Sequence, residues 1–129
     1  MIHVMNKPLL RSGIVIWLGA TIALRLAGQH VLRPGDRLST FALFAVSFPL
    51  MAWLVPRLCV SVGLPREQWL GGAVSVALPS LLLDPFSSAF FPTVFPNMSP
   101  ALAGVFGGWV LWCCAGAFVG VLVPRAKRA

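Results

Sequence analysis

The segment "ALAGVFGGWVLWCCAGAFVGVLV", Ala101 to Val123, decides the fold: it runs for twenty-three residues without one charged side chain. A helix rises about 1.5 Å per residue, so a segment of that length covers roughly the 30 Å of a bilayer's hydrocarbon core. Its ends are marked as helix ends. Ser99 is an N-cap type, Pro100 suits the first helical position, and Pro124 stops the run. "RAKRA" then closes the sequence.

Three more apolar segments precede it. Residues 1–12 read as a short tail carrying His3, Lys7 and Arg11, followed by "GIVIWLGATIALRLAGQHVL", Gly13 to Leu32. Arg25 interrupts that run and further membrane segments follow it, so it reads as a retained span rather than a signal peptide. "RPGDR" at Arg33–Arg37 is a turn, with Asp36 placed to cap the next helix. The second segment carries Pro49 and Pro56, which membrane helices tolerate when neighbours meet the freed carbonyls, and Gly63 ends it. The third starts at "LPREQWL", with Glu67 in the first turn where the helix dipole favours an acid. The expected spans are 13–32, 39–62, 66–84 and 100–123, in one transmembrane domain over 1–129.

Composition supports this. Hydrophobic residues make up 58% of the chain and charged ones 10%, against about 45–50% and 25% in soluble domains. The expected class is an all-α polytopic membrane protein: a four-transmembrane-helix bundle in contact with the lipid bilayer. The net charge of +7 does not point to nucleic acid, because the basic residues flank apolar segments and are not interleaved with stacking aromatics. With both termini inside, Lys7, Arg11, Arg57, Arg66, Arg125, Lys127 and Arg128 are cytoplasmic, and only Arg33 and Arg37 are outside. That is the orientation favoured by the positive-inside rule, N-in and C-in. "FPTVFPNMSP" is then outside. Asn97-Met98-Ser99 matches a glycosylation sequon, but the nearby membrane and Pro100 argue against its use.

Cys59, Cys113 and Cys114 form no metal spacing and read as small hydrophobes. His3 and His30 fall on opposite sides of the membrane. No metal or cofactor is expected. Arg25 is the costly residue, at about 2.5–3.5 kcal/mol for a mid-helix position on insertion scales. Counted from Gly13 it lies roughly 18 Å into its span, on a stripe with Thr21 and Gln29 that should face the bundle interior. Asp84 lies at a similar depth, with Ser80 and Ser88 on its face.

Two compatible readings of Asp84 follow. One is an intramembrane Arg25–Asp84 ion pair. The other is a cap: Asp84-Pro85 has the N-cap and first-position pattern, which would start a short outer helix or re-entrant segment between helices 3 and 4. His30, one turn beyond Arg25, reads as interfacial. Gly104-x-x-x-Gly108 and Gly116-x-x-x-Gly120 let helix backbones approach closely, within the bundle or across a homodimer. The five tryptophans read as packing or interface residues.

The pieces "LRLAGQ", "RPG", "LLLDPFSSAFFPTVFPN" and "FGGWVLW" together resemble a family of small bacterial four-span membrane proteins classed as a domain of unknown function. The resemblance implies a four-helix fold in the bacterial inner membrane and no named activity. It picks out Arg25, Asp84, the outer-loop residues Pro96 and Asn97, Gly108 and Trp109.

Three function classes remain. A noncatalytic accessory, assembly or envelope-associated module needs only packing and one internal pair; it implies a membrane-protein partner or a homo-oligomer. A small transporter or channel would use a polar site at Arg25 and Asp84. Compact exporters of cations rely on a carboxylate in the first span, where this chain has Arg25. An enzyme needs convergent titratable groups, and only Arg25, His30 and Asp84 are candidates. The expectation is a noncatalytic protein.

Overall fold

The computed structural model describes residues 6–123, and within them the regular structure is helical. Helix α1 spans Lys7–Ala27, so half of the segment read as a tail, residues 7–12, belongs to the first span. The cause is a cap: Asn6 Oδ1 accepts the Leu9 amide at 3.0 Å, and Pro8 sits in the first turn, where its missing N–H costs nothing. His3, Arg125, Lys127 and Arg128 lie outside the described residues. A tighter turn, Gly28–His30, ends the segment.

Helix α2 spans Arg37–Ser61, with Asp36 capping the Ser39 amide at 3.0 Å. Beyond its end Gly63 takes φ +72°, a left-handed turn that a glycine enters freely. Helix α3 spans Trp69–Ala89 after a turn at Arg66–Gln68. It passes through Pro79 and Pro85 without ending, so Asp84 sits inside a helix and caps none. The reading of Asp84-Pro85 as a helix start is therefore corrected. Proline disfavours helix in the residue before it by a modest steric term. Here α3 is held from several sides: Trp69, Gly72, Ala73, Ser75, Val76 and Asp84 are among its buried residues, whereas α2 buries only Ser47, Val55, Pro56 and Cys59. A single turn α4, Phe91–Val94, follows. Ser99 caps the Ala101 amide at 3.3 Å at the start of the last segment, whose helix α5 spans Ala103–Leu122.

Four segments, Lys7–His30, Arg37–Ser61, Arg66–Ala89 and Pro100–Leu122, are long and apolar enough to cross a membrane. Ile14, Leu18, Ile22, Phe41, Val46, Leu82 and Leu111 are exposed on them. On helices of this length such side chains make a lipid-facing surface.

The helices pair by parallel neighbours. On α1 and α3 the contacts Asn6–Ser75, Gly13–Val76 and Trp17–Asp84 advance in the same direction. On α2 and α5 the contacts are Phe44–Trp112, Phe48–Gly116 and Ala52–Gly120. Helices α3 and α5 thus lie alongside α1 and α2, offset by 67 residues at Trp17–Asp84 and 68 at Phe44–Trp112. Helix α3 also packs on α5 and joins the two pairs, while α1 leans mainly on α3.

Glycines set the closeness. A Cβ at Gly13 would strike the Val76 carbonyl, one at Gly116 would come 2.7 Å from the Phe48 carbonyl, and one at Gly120 would strike the Ala52 carbonyl. The last contact has a further logic. Pro56 has no N–H to give the Ala52 carbonyl four residues before it. Gly120 sets its bare Cα against that oxygen, in the arrangement of a weak Cα–H···O contact. Of the two readings of these glycines, within the bundle or across a homodimer, Gly116 and Gly120 pack within the bundle and Gly104 and Gly108 do not. A Cβ at Gly104 or Gly108 meets nothing within 4 Å among the described residues, because this half of the motif faces away from the bundle.

Gly120→Leu should lower the melting temperature of the detergent-purified protein, through overpacking worth about 1–3 kcal/mol. Gly104→Leu should leave that temperature unchanged.

Candidate intramembrane site

One face of each long helix turns inward around a cavity of about 190 Å³. Helix α1 contributes Trp17, Thr21 and Leu24, which recur at helical spacing. Helix α3 contributes Val76, Ser80 and Asp84, α2 contributes Ser47 and Met51, and α5 contributes Phe106, Trp109, Cys113 and Cys114. The wall is largely apolar, with a few polar groups set into it.

Two tryptophans anchor those groups. Trp17 Nε1 donates to Asp84 Oδ1 at 2.9 Å and ties α1 to α3. Trp109 Nε1 donates to Ser47 Oγ at 2.8 Å and ties α5 to α2. Ser47 passes its own hydrogen to the Leu43 carbonyl at 2.6 Å. Asp84 is buried, 7% exposed. It also borders a second cavity of about 190 Å³ between α3 and α5, beside Ser80, Pro85, Ser88 and Gly107. Among the described residues, no Lys, Arg or His lines either cavity. Asp84 is thus an acceptor at membrane depth, holding one neutral donor and facing two spaces.

Arg25 is elsewhere. It is exposed, and its Nη1 donates to the Val94 carbonyl at 3.0 Å. Among the described residues no ion pair joins it to Asp84. The expected inward stripe is therefore split: Thr21 lines the cavity, and Arg25 turns outward. The reason is depth. With the helix starting at Lys7, Arg25 lies about 27 Å along it, in the last turn rather than the middle. A guanidinium there reaches beyond the helix end to a loop carbonyl and complements the negative end of the helix dipole.

The same end carries a lock. Asn97 Nδ2 donates to the Leu24 carbonyl at 2.9 Å and to Gln29 Oε1 at 2.6 Å. Gly28 donates its own amide to that Leu24 carbonyl, so Asn97 finishes the C-terminus of α1. Gly28 also leaves room for Met98, whose sulfur would be 2.7 Å from a Cβ there. Phe91, Phe95 and Phe106 pack ring to ring beneath, with centroids 5.1–5.7 Å apart. The "LRLAGQ" and "FPN" pieces therefore meet in space as one structural joint. Pro96 is exposed. His30 is exposed too, its Nε2 3.5 Å from Gln29, away from the cavity.

Thr21, Ser80 and Asp84, singled out from the sequence, line this cavity together with Trp17 and Ser47, which were not singled out as polar-site residues. Trp17 carries a usable signal, one turn before Thr21 on the same stripe. Ser47, in an apolar run, carries none.

Asn97→Ala should destabilise the protein by about 1–3 kcal/mol, because it removes a donor that two acceptors share; a melting curve in detergent checks this. The double change Arg25→Asp/Asp84→Arg should fall below either single variant in membrane abundance, since the two side chains meet different partners.

Neither the curated proteins nor the solved structures hold a match to this chain. A family model described as "Family of unknown function (DUF5367)" matches residues 31–128. The match takes in Asp84, the Asn97 loop and "FGGWVLW", and leaves α1, with Trp17 and Arg25, outside it. With that stretch matched, the four long helices and their lipid-facing surface are those of a multi-pass membrane protein that belongs to the DUF5367 family of unknown function.

Proposed function

We propose that the protein is a noncatalytic module of the bacterial inner membrane, with both termini in the cytoplasm, that acts by docking to another membrane component. The observation that carries this reading is the dispersal of its three candidate ionisable groups. Arg25 is held by a loop carbonyl, His30 lies exposed at the helix end, and Asp84 is inside with Trp17. Acid–base chemistry calls for such groups to converge on one reacting atom. Docking has support in the open α5 face at Gly104 and Gly108, where small residues admit a second helix. That helix belongs to a partner protein or to a second copy.

Orientation follows from the charges. Arg57 lies over the Trp53 ring and Arg66 over the Trp69 ring, at 4.8 and 4.7 Å, which makes an aromatic and basic belt at one end of the bundle. Lys7 begins α1 at that end. This is the cytoplasmic end by the positive-inside rule, which puts α4 and the Asn97 joint outside.

A second reading, a small transporter or channel, is favoured by Asp84 on the cavity wall. Arg25, which counted against cation handling when taken from the sequence, does not line that cavity.

In-membrane crosslinking tests the docking face. Single-cysteine probes flanking Gly104 and Gly108, in a background with the native cysteines replaced, should crosslink to a partner or a second copy. Gly104→Leu/Gly108→Leu should abolish the product without loss of folded protein; unchanged crosslinking in that variant would refute the docking face. Green fluorescent protein fused to either end should fluoresce, and alkaline phosphatase fused there should be inactive. The opposite pattern would reverse the orientation.

A further inference from the structure

The central cavity combines a buried carboxylate, aromatic walls and, among the described residues, no cation. Asp84 Oδ1 has the Trp17 indole N–H as a neutral donor, which supplies a hydrogen bond and no counter-charge. A carboxylate at membrane depth is costly without a positive partner. Arg25, the partner expected from the sequence, is held at the Val94 carbonyl. Among the described residues, the cavity's one charge is left without a counter-charge.

We propose that this cavity binds a small organic cation, with an ammonium group on the Asp84 carboxylate and an apolar body among Trp17, Trp109 and Phe106. The inference rests on the binding-site reading of Asp84 and names the class of ligand it takes. Charge selects the ammonium. Aromatic faces attract cations and cover apolar rings, so the body is accommodated as well as the head. A bare metal ion is a poorer fit, because hard cations take six or more oxygens, and the Ser47 hydroxyl is already engaged with Leu43 and Trp109. Size agrees: a cavity of about 150 Å³ holds benzene, so about 190 Å³ admits one such ring carrying a short ammonium arm. Asp84 and Ser80 also border the second cavity, beside Gly107 and the exposed Leu111, which sets the carboxylate between the central cavity and a recess on the α3–α5 side.

The test uses the full chain in detergent, titrated by calorimetry with benzylammonium and with benzyl alcohol, its neutral counterpart. Benzylammonium should bind saturably, about tenfold or more tighter than the alcohol. Asp84→Asn keeps an oxygen for the Trp17 N–H and so keeps the fold; it should remove that advantage and leave the alcohol unaffected. Ala20→Leu, which fills the cavity from α1, should abolish binding of both, and it stands in should Asp84→Asn fail to fold. Equal affinity for the two probes, no binding of benzylammonium, or binding indifferent to Asp84→Asn would each overturn the proposal. Benzylammonium flux into proteoliposomes separates the two readings. Saturable, Asp84-dependent binding without flux upholds the site and removes the transport reading. Flux that survives Asp84→Asn upholds transport and overturns the site.

Discussion

In a bilayer, apolar side chains gain little by leaving lipid for protein, so helices associate through close packing and polar contacts instead. Backbone approach at Gly13, Gly116 and Gly120 is the constraint on which the rest of this bundle depends. Each glycine brings a helix onto a carbonyl of its parallel neighbour, α1 on α3 and α5 on α2. Once those approaches are made, the tryptophans and serines of the same faces come within hydrogen-bond distance. Trp17 reaches Asp84, Trp109 reaches Ser47, and the Asn6 amide reaches the Ser75 hydroxyl at 2.9 Å.

The two ends of the bundle are finished differently. At the end where α1 starts, Arg66 donates to the Val123 carbonyl at 2.8 Å, and Trp69 donates to the Leu64 carbonyl at 3.0 Å. At the other, α4 and the residues after it fold over α1, with Asn97, Arg25 and Met98 as fastenings and three phenylalanines beneath. The outer-loop segment with Pro96 and Asn97 is thus a closure. Its polar groups complete a helix end that would otherwise face lipid or the membrane boundary.

That closure leaves the middle of the bundle as the place where binding chemistry remains open. Arg25 and His30 serve or flank the boundary, and Asp84 keeps its place on the cavity wall. The distribution accounts for both functional readings. The exposed small-residue face of α5 suits an encounter with another helix, and the interior suits a small guest carrying the missing positive charge.

Residue types and their order determined the spans, the start of α2 at Asp36, the start of the last segment at Ser99 and the apolar exterior, because these depend on local caps and on the length of apolar runs. The start of α1 is likewise a local cap, Asn6 followed by Pro8, and the tertiary structure adds the Asn6 amide's bond to Ser75 on α3. Residue types and their order did not end α3 at Asp84, because packing on several sides outweighs the modest preference set by Pro85. Above all they did not decide partners. Sequence position fixes depth along the membrane normal, and Arg25 and Asp84 looked matched on that coordinate. Which faces meet depends on the rotation of each helix about its axis and on which helix it lies beside. Those were set by the glycine approaches across the bundle, between residues 63 to 68 positions apart.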